Sequence, residues 1–173
     1  SKWHHKEKVL SVSVGIITLT LMITTWVQVG HWKNSITIFQ HAIKVTDKKY
    51  PNLAVAYNHL GMALFAEQRN EEAISHYKMA ISLSPNYTFA HYNLGNALFA
   101  IKKNKEAIFH YKMAIKLNPS YTYAHYNLGI VLLHQKEPKE AAQQFKETIR
   151  LRPDLEKAHN YFKMALLQSE KIE

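Results

Sequence analysis

The sequence predicts an all-α protein in which antiparallel helix pairs stack into a solenoid behind one hydrophobic helix. Three blocks of 34 residues follow one another without a gap, at 52–85, 86–119 and 120–153, and each reads as two amphipathic helices joined by a short polar turn. Ahead of them, residues 9–29 contain no charged side chain. Because one helix pair cannot bury its apolar faces alone, the three blocks are expected to stack on one another.

The composition allows one domain of ordinary size and one apolar segment besides. The chain has 173 residues, of which 47% are hydrophobic. It has no cysteine, which excludes a disulfide framework, a thiolate nucleophile and a zinc–thiolate site. A formal net charge of +9 indicates an anionic neighbour, and it leaves open whether that is a membrane surface, a cell-wall polymer, nucleic acid or an acidic protein.

Residues 9–30 are predicted to form a transmembrane helix behind a basic flank at 1–8. As a helix, the uncharged stretch 9–29 would extend about 30 Å, the thickness of the hydrocarbon core of a bilayer. Trp26 and Trp32 fall near its end, where amphipathic rings prefer the headgroup region. A weak excess of lysine before the segment favours a cytoplasmic start and repeats that are exported to the periplasmic or extracytoplasmic side. The alternatives are a cleaved signal peptide, although no small-residue cleavage site is present, and burial of this helix in a multi-subunit assembly.

Residues 31–51 read as half a repeat followed by a hinge. The segment 32–45 matches the second helix of the blocks, with Phe39 at the position of the aromatic residue. Its first-helix partner would be the end of the hydrophobic segment. The connector 46–52 is longer than the turns between the blocks, so we predict that it is the hinge.

Residues 154–173 begin a fourth first helix in register with the blocks. Lys163 occupies the position at which the blocks have glycine, and no second helix follows. This pattern predicts a C-terminal capping helix with a solvated outer face.

Seven positions recur in every block: a Leu-Gly pair, a further leucine, an alanine, an aromatic residue, a small residue and a proline. They are Leu60, Gly61, Leu64, Ala73, Tyr77, Ala80 and Pro85; Leu94, Gly95, Leu98, Ala107, Tyr111, Ala114 and Pro119; and Leu128, Gly129, Leu132, Ala141, Phe145, Thr148 and Pro153. This pattern resembles the tetratricopeptide repeat (TPR). Tyr57, His91 and His125 stand where that repeat usually has tryptophan. The resemblance implies a right-handed solenoid whose first helices line a concave groove.

A glycine lies in the middle of each first helix, where it would cost roughly 1 kcal/mol relative to alanine in an isolated helix. We therefore expect the three glycines to permit close approach of the neighbouring helix. The facing positions are predicted to be small residues. The pairs are Gly61 with Ala73, Gly95 with Ala107, and Gly129 with Ala141.

The first helices are predicted to present an aromatic and asparagine groove suited to an extended peptide, because amides can pair with its backbone while rings contact its side chains. The groove residues are Val55, Asn58, His59, Met62, Phe89, Tyr92, Asn93, Asn96, Tyr123, Tyr126, Asn127 and Ile130. Asn93 and Asn127 resemble the asparagine ladder of O-GlcNAc transferase repeats. We expect these groove residues to lie apart from the inter-helix packing positions. The alternative is that the asparagines are ordinary solvent-facing residues.

Basic residues concentrate in the turn and second helix of the central block, namely Lys102, Lys103, Lys105, Lys112 and Lys116. They are expected on the outer surface, either as ordinary solvated side chains or as a contact for an anionic partner. Nucleic-acid binding is disfavoured, because single-strand binding requires basic and aromatic side chains on the same face.

The histidines repeat with the blocks, as His76 with His110 and His91 with His125. Their spacing therefore follows from block duplication, and we predict no metal site. No nucleophile–base arrangement, phosphate loop or paired carboxylate is present, so the segment is predicted to be non-enzymatic and to need no cofactor.

These features predict a membrane-tethered scaffold that binds a protein or peptide partner. One alternative is a self-assembling homo-oligomer that associates through solenoid ends or the apolar helix. A second resemblance supplies another alternative. The C-terminal part of membrane protein O-mannosyltransferase-like enzymes is similar to the arrangement seen here, a hydrophobic helix followed by HWKNSITIFQHAIKV and then by repeats. It implies that this segment holds the acceptor protein of such a glycosyltransferase.

Overall fold

The computed structural model describes residues 35–45 and 52–170. Within these ranges the chain forms eight α-helices and no strand. The helices are α1 (Ser35–Val45), α2 (Asn52–Ala66), α3 (Asn70–Leu83), α4 (Thr88–Ala100), α5 (Asn104–Leu117), α6 (Thr122–His134), α7 (Pro138–Leu151) and α8 (Glu156–Glu170).

The helices pack in sequence as a solenoid. The pairs α2–α3, α4–α5 and α6–α7 have the most extensive contacts, and each pair packs on the next through its second helix. The first helices α2, α4, α6 and α8 also contact one another in order, which places them along the inner side of the solenoid. The prediction of an all-α solenoid of helix pairs is confirmed.

The turn inside each pair reverses the chain through one residue in the left-handed region. Gln68, Lys102 and Lys136 have φ values of 62°, 63° and 61°. In the central repeat, the N–H of Lys103 bonds to the carbonyl of Leu98 at 2.9 Å and the N–H of Lys102 to that of Phe99 at 2.9 Å. These two bonds form the Schellman arrangement that closes a helix C-terminus.

The core consists of the repeat positions. In the central repeat Leu94, Leu98, Ala107, Tyr111 and Ala114 are almost completely buried, and their counterparts in the other two repeats are equally inaccessible. Leucines from the first helix and an aromatic ring from the second therefore fill the space within and between pairs.

The nearest neighbours of the glycines in the first helices are aromatic rings of the second helices, whereas the sequence predicted alanine at the facing position. A Cβ atom at Gly95 would lie 2.7 Å from Cε1 of Tyr111. At Gly61 it would lie 2.6 Å from Cε1 of Tyr77, and at Gly129 2.7 Å from Cζ of Phe145. The ring is the largest side chain at the crossing, so the missing Cβ of glycine accommodates the ring. Ala73, Ala107 and Ala141 are fully buried one turn earlier on the second helix.

Several predictions fall on residues that the structure does not describe. They concern the basic flank at 1–8, the transmembrane helix at 9–30, the residues 31–34 and the hinge residues 46–51. Among the helices of 35–45 and 52–170, none combines the length and apolar character that crossing a bilayer requires.

The two outermost described helices have faces that are only partly covered. On α1, Phe39 is half-buried and stacks on His59 with 5.2 Å between ring centroids. On α8, Lys163 is exposed, in agreement with the solvated outer face that the sequence predicts for this helix. Leu166 and Leu167 are exposed as well.

Replacing Gly95 by alanine is expected to lower the free energy of unfolding, although alanine favours a helix. Overpacking of the buried Tyr111 ring costs about 1–3 kcal/mol, which exceeds the gain of roughly 1 kcal/mol in helix propensity. Urea denaturation followed by circular dichroism measures the change. The double variant Gly95→Ala/Tyr111→Leu is the control. Compared with Tyr111→Leu alone, it should have a higher free energy of unfolding, because the ring that the added Cβ would meet is absent. An unchanged or higher stability of Gly95→Ala alone would contradict the close ring contact.

Candidate functional site

The inner surface formed by α2, α4 and α6 carries the twelve predicted groove residues at three different depths. Val55, Met62, Phe89 and Tyr123 are exposed. Seven are partly buried: His59, Tyr92, Asn93, Asn96, Tyr126, Asn127 and Ile130. Asn58 is 2% exposed and lies between the first two repeats. The structure therefore places these residues on one surface, with Asn58 as part of its floor.

Asparagine side chains join neighbouring first helices by hydrogen bonds. Asn93 donates from Nδ2 to Oδ1 of Asn58 at 3.0 Å. Asn127 donates from Nδ2 to Oδ1 of Asn96 at 2.9 Å and to the hydroxyl of Tyr92 at 3.2 Å. The expectation that the groove asparagines lie apart from inter-helix packing is wrong, because each of these bonds crosses from one repeat to the next.

The asparagine network is anchored in the core through Tyr111. Its hydroxyl donates to Oδ1 of Asn96 at 2.7 Å. Burial raises the pKa of Tyr111 well above its usual value, so the hydroxyl keeps its proton and remains a donor. Asn96 thus accepts from both Tyr111 and Asn127, which fixes the orientation of its amide.

A cavity of about 260 Å³ opens on the inner surface above this network. Its lining is Phe65, Asn96, Phe99, Ala100, Tyr111, Asn127 and Ile130. Sequence reasoning selected Asn96, Asn127 and Ile130 and missed the rest. Phe65 and Phe99 recur at the 34-residue spacing in the last turn of their helices, and that repetition is the signal that could have identified them.

An aromatic row, made of Tyr87, Phe89, Tyr121 and Tyr123, runs along the start of α4 and α6. Successive rings meet edge to face, with centroids 6.2 Å apart for Tyr87 and Phe89, 5.5 Å for Phe89 and Tyr121, and 6.3 Å for Tyr121 and Tyr123. Burial, with the neighbouring Tyr92 and Tyr123, raises the pKa of Tyr121 to about 12. The phenol of Tyr121 is therefore neutral at physiological pH.

The histidines at the usual tryptophan position have a structural role that sequence reasoning missed. The Nε2 atoms of His91, His125 and His159 lie 3.0, 3.0 and 2.9 Å from the carbonyl oxygens of Pro85, Pro119 and Pro153. Each imidazole N–H thus satisfies a carbonyl at the end of the preceding repeat and ties that repeat to the next first helix. No group of three or more metal-ligating side chains occurs in the described ranges.

Two of these histidines use their second nitrogen for a bond to the second helix of their own repeat. Nδ1 of His91 lies 3.1 Å from Nδ1 of His110, and Nδ1 of His125 lies 2.8 Å from the side-chain amide of Gln144, whose N–H is the donor that this acceptor requires. A neutral imidazole carries one N–H. Since that of His91 is directed to Pro85, the Nδ1–H of His110 donates to His91.

The basic residues of the central repeat lie on the outer side. Lys112 pairs with Glu140 at 3.8 Å and Lys103 with Glu106 at 3.8 Å, and all four side chains are exposed. Exposed ion pairs of this kind contribute little to stability. Phe109 lies on α5 together with Glu106 and Lys112, and its ring is exposed as well.

The stacked helix pairs, with aromatic and asparagine side chains along their inner surface, define a helical-repeat protein. The family described as TPR repeat matches residues 61–102 and 95–136, and the tetratricopeptide repeat family matches residues 122–155. The chain therefore belongs to the tetratricopeptide repeat proteins, which are generally non-catalytic scaffolds. The resemblance read from the repeat positions is confirmed for this family. The comparisons give no support to the resemblance to O-mannosyltransferase-like enzymes.

Solved TPR structures have the same fold. A crystal structure of MamA matches with a TM-score of 0.71 and 27% identity over 78% of this chain and 72% of the other. YrrB, described as a TPR protein with an unusual peptide-binding site, matches with a TM-score of 0.68 and 25% identity over 74% and 64% of the two chains. The first TPR of Spaghetti (RPAP3), bound to the HSP90 peptide SRMEEVD, matches in fold with a TM-score of 0.65 and 24% identity over 66% and 90%. No curated protein matched the sequence.

Acidification from pH 6.5 to about pH 4 is expected to destabilise the domain through His110. Burial lowers the pKa of His110 from 6.5 to about 4, and the adjacent His91 and Lys78 add to the shift. Between these values the unfolded chain binds a proton that the folded chain does not bind, so stability falls as the pH falls, by roughly 1–2 kcal/mol for this partly buried group.

The variant His110→Gln tests this pH dependence, because the third repeat already pairs His125 with Gln144. Glutamine keeps a hydrogen-bonding partner for His91 and removes the titrating group. Unfolding free energies measured at pH 7.5, 6 and 4.5 should then fall less steeply in the variant. The pKa of His76 is also lowered, chiefly by burial, so some slope will remain. An identical slope in the two proteins would exclude His110 as its source.

Proposed function

We propose that the chain is a non-enzymatic scaffold that binds an extended segment of a partner protein on the inner surface of α2, α4 and α6. The observation that carries this proposal is the 260 Å³ cavity above the Asn96–Asn127 network. Its volume lies below the roughly 300–1,000 Å³ of small-molecule sites. It is suited to one large apolar side chain of a peptide.

The polar groups beside the cavity match the backbone of an extended peptide. Both Nδ2 hydrogens of Asn127 are used within the protein, so its Oδ1 is the atom left to accept a peptide N–H. The hydroxyl of Tyr92 accepts from Asn127 and keeps its own hydrogen for a peptide carbonyl. An acceptor and a donor held side by side meet the N–H and C=O groups that an extended segment presents.

Two of the similar proteins support a peptide-binding role. YrrB is described with a peptide-binding site, and the Spaghetti domain is described in complex with an HSP90 peptide. Together with the family, they favour protein–protein interaction as the function of this chain.

Filling the cavity should weaken peptide binding without unfolding the domain. Ala100 lines the cavity and is exposed, so Ala100→Trp places an indole in the opening without displacing a core residue. Peptides selected by the full chain from a random library, measured by fluorescence anisotropy, should bind this variant at least tenfold more weakly. Ala66→Trp is the matched control, because Ala66 is the exposed counterpart one repeat earlier and does not line the cavity. Equal affinity of the two variants for the selected peptides would refute the inner surface as the site.

We also propose that residues 9–30 anchor the scaffold in a membrane with the repeats on the exported side. The support is the uncharged stretch 9–29 in the sequence. The full chain should sediment with membranes and resist carbonate extraction, whereas residues 31–173 should be recovered in the supernatant. Protease accessibility of the repeats in spheroplasts tests their side. Release of the full chain by carbonate would eliminate the anchor and leave the peptide-binding proposal intact.

The other two hypotheses have narrower support. Self-assembly into a homo-oligomer has the exposed Leu166 and Leu167 of α8 in its favour, since these side chains leave an apolar face at one end of the described solenoid. The glycosyltransferase-tail hypothesis rests on the sequence resemblance alone.

A further inference from the structure

The aromatic row is a second feature of the inner surface, distinct from the cavity. Phe89 is 53% exposed and Tyr123 is 48% exposed, although both rings contact other rings. Each lies in edge-to-face contact with Tyr121, so one ring separates them. The result is two exposed rings that both contact the half-buried ring of Tyr121.

Tyrosine hydroxyls in and beside the row are oriented as hydrogen-bond donors. The hydroxyl of Tyr123 accepts a bond from Nη1 of Arg152 at 3.0 Å, and the hydroxyl of Tyr92 accepts from Asn127. Tyr92 contacts Tyr121 edge to face at 5.0 Å and so adjoins the row. In both cases the phenol oxygen accepts from a protein donor. The hydrogen of the Tyr123 hydroxyl is then left for a ligand of the row, and that of Tyr92 for the peptide segment at the cavity.

The row is poorly suited to an acidic partner. Arg152 is the cation that contacts it, and its guanidinium already lies over the Tyr123 ring, 5.7 Å from the centroid. The same guanidinium pairs with Asp154 at 3.6 Å. An arginine that is engaged by a ring and a carboxylate within its own chain offers little to a carboxylate of a partner.

A ligand for this row needs compact apolar groups to pack on the exposed rings of Phe89 and Tyr123. It also needs a carbonyl oxygen to accept a hydrogen bond from the tyrosine hydroxyl. A proline-rich segment in the polyproline II conformation has both, since proline has no N–H to satisfy and the carbonyls of this helix have no internal partners. The centroid of Tyr121 lies 5.5 Å from that of Phe89 and 6.3 Å from that of Tyr123. A polyproline II helix rises about 9 Å per turn, so one to two turns are long enough to contact both exposed rings.

We propose that the aromatic row binds proline-rich segments of a partner protein in the polyproline II conformation. This rests on the proposed function, because the row continues the inner surface that binds the partner. The row contacts the proline-rich part, and the cavity takes an apolar side chain elsewhere in the same partner.

The test uses the full chain and a fluorescein-labelled oligoproline of about ten residues, a length that gives about three turns of polyproline II. A Gly-Ser peptide of equal length is the reference ligand. Oligoproline should bind measurably and the Gly-Ser peptide should not. The dissociation constant should rise at least tenfold in Phe89→Ala and in Tyr123→Ala, and by a smaller factor in Tyr123→Phe, which keeps the ring and loses the hydroxyl.

Phe109→Ala is the matched control, because Phe109 is equally exposed but lies on α5, which carries none of the row. Its affinity for oligoproline should equal that of the unchanged protein. The proposal is overturned if oligoproline does not bind, or if Phe109→Ala weakens it as much as Phe89→Ala. In either case, library peptides that are lost with Ala100→Trp would still uphold the proposed function, so the two failures are distinguishable.

Discussion

Each repeat depends on one contact, in which an aromatic ring of the second helix lies directly against the glycine of the first. In the central repeat this is Tyr111 on Gly95, and the ring is completely buried. The contact sets the distance between the two helices and therefore the positions of everything that projects from the first helix. It also brings the Tyr111 hydroxyl to the inner surface, where it donates to Asn96. Core packing and the candidate site thus share a side chain.

The repeats are joined by polar bonds as well as by apolar packing. His91, His125 and His159 each bind the carbonyl of the proline that ends the preceding repeat. On the inner side, Asn93 and Asn127 bind the neighbouring first helix. Bonds on two sides of a repeat resist rotation of one repeat relative to the next, so the inner surface is held in a fixed shape. A preformed surface loses less conformational entropy when a partner binds.

The sequence was sufficient for the helix pairs and their order, because both follow from periodicity. The inner location of the first helices was implied by the resemblance to the tetratricopeptide repeat. The sequence was insufficient to predict how deeply each side chain is buried and which neighbour it contacts. Spacing shows that Gly95 faces the second helix, but it does not show whether Ala107 or Tyr111 reaches the glycine, since that depends on helix tilt. The same limit applies to Asn93 and Asn127. Their face was predicted, whereas their bonds to Asn58 and Asn96 depend on how closely successive first helices approach, which only the assembled solenoid determines.

The three repeats are nearly identical in packing but differ at the candidate site, and the difference sets the central repeat apart from its neighbours. Asn96 has Met62 and Ile130 as counterparts, neither of which can accept two hydrogen bonds. The third repeat also lacks the hydroxyl, because Phe145 replaces Tyr111. The Tyr111–Asn96–Asn127 bonds can therefore form only at the junction of the second and third repeats, which is where the cavity opens. The repeats therefore share one packing scheme. The Tyr111–Asn96–Asn127 network depends on Asn96, which only the central repeat has, together with a tyrosine that the third repeat lacks.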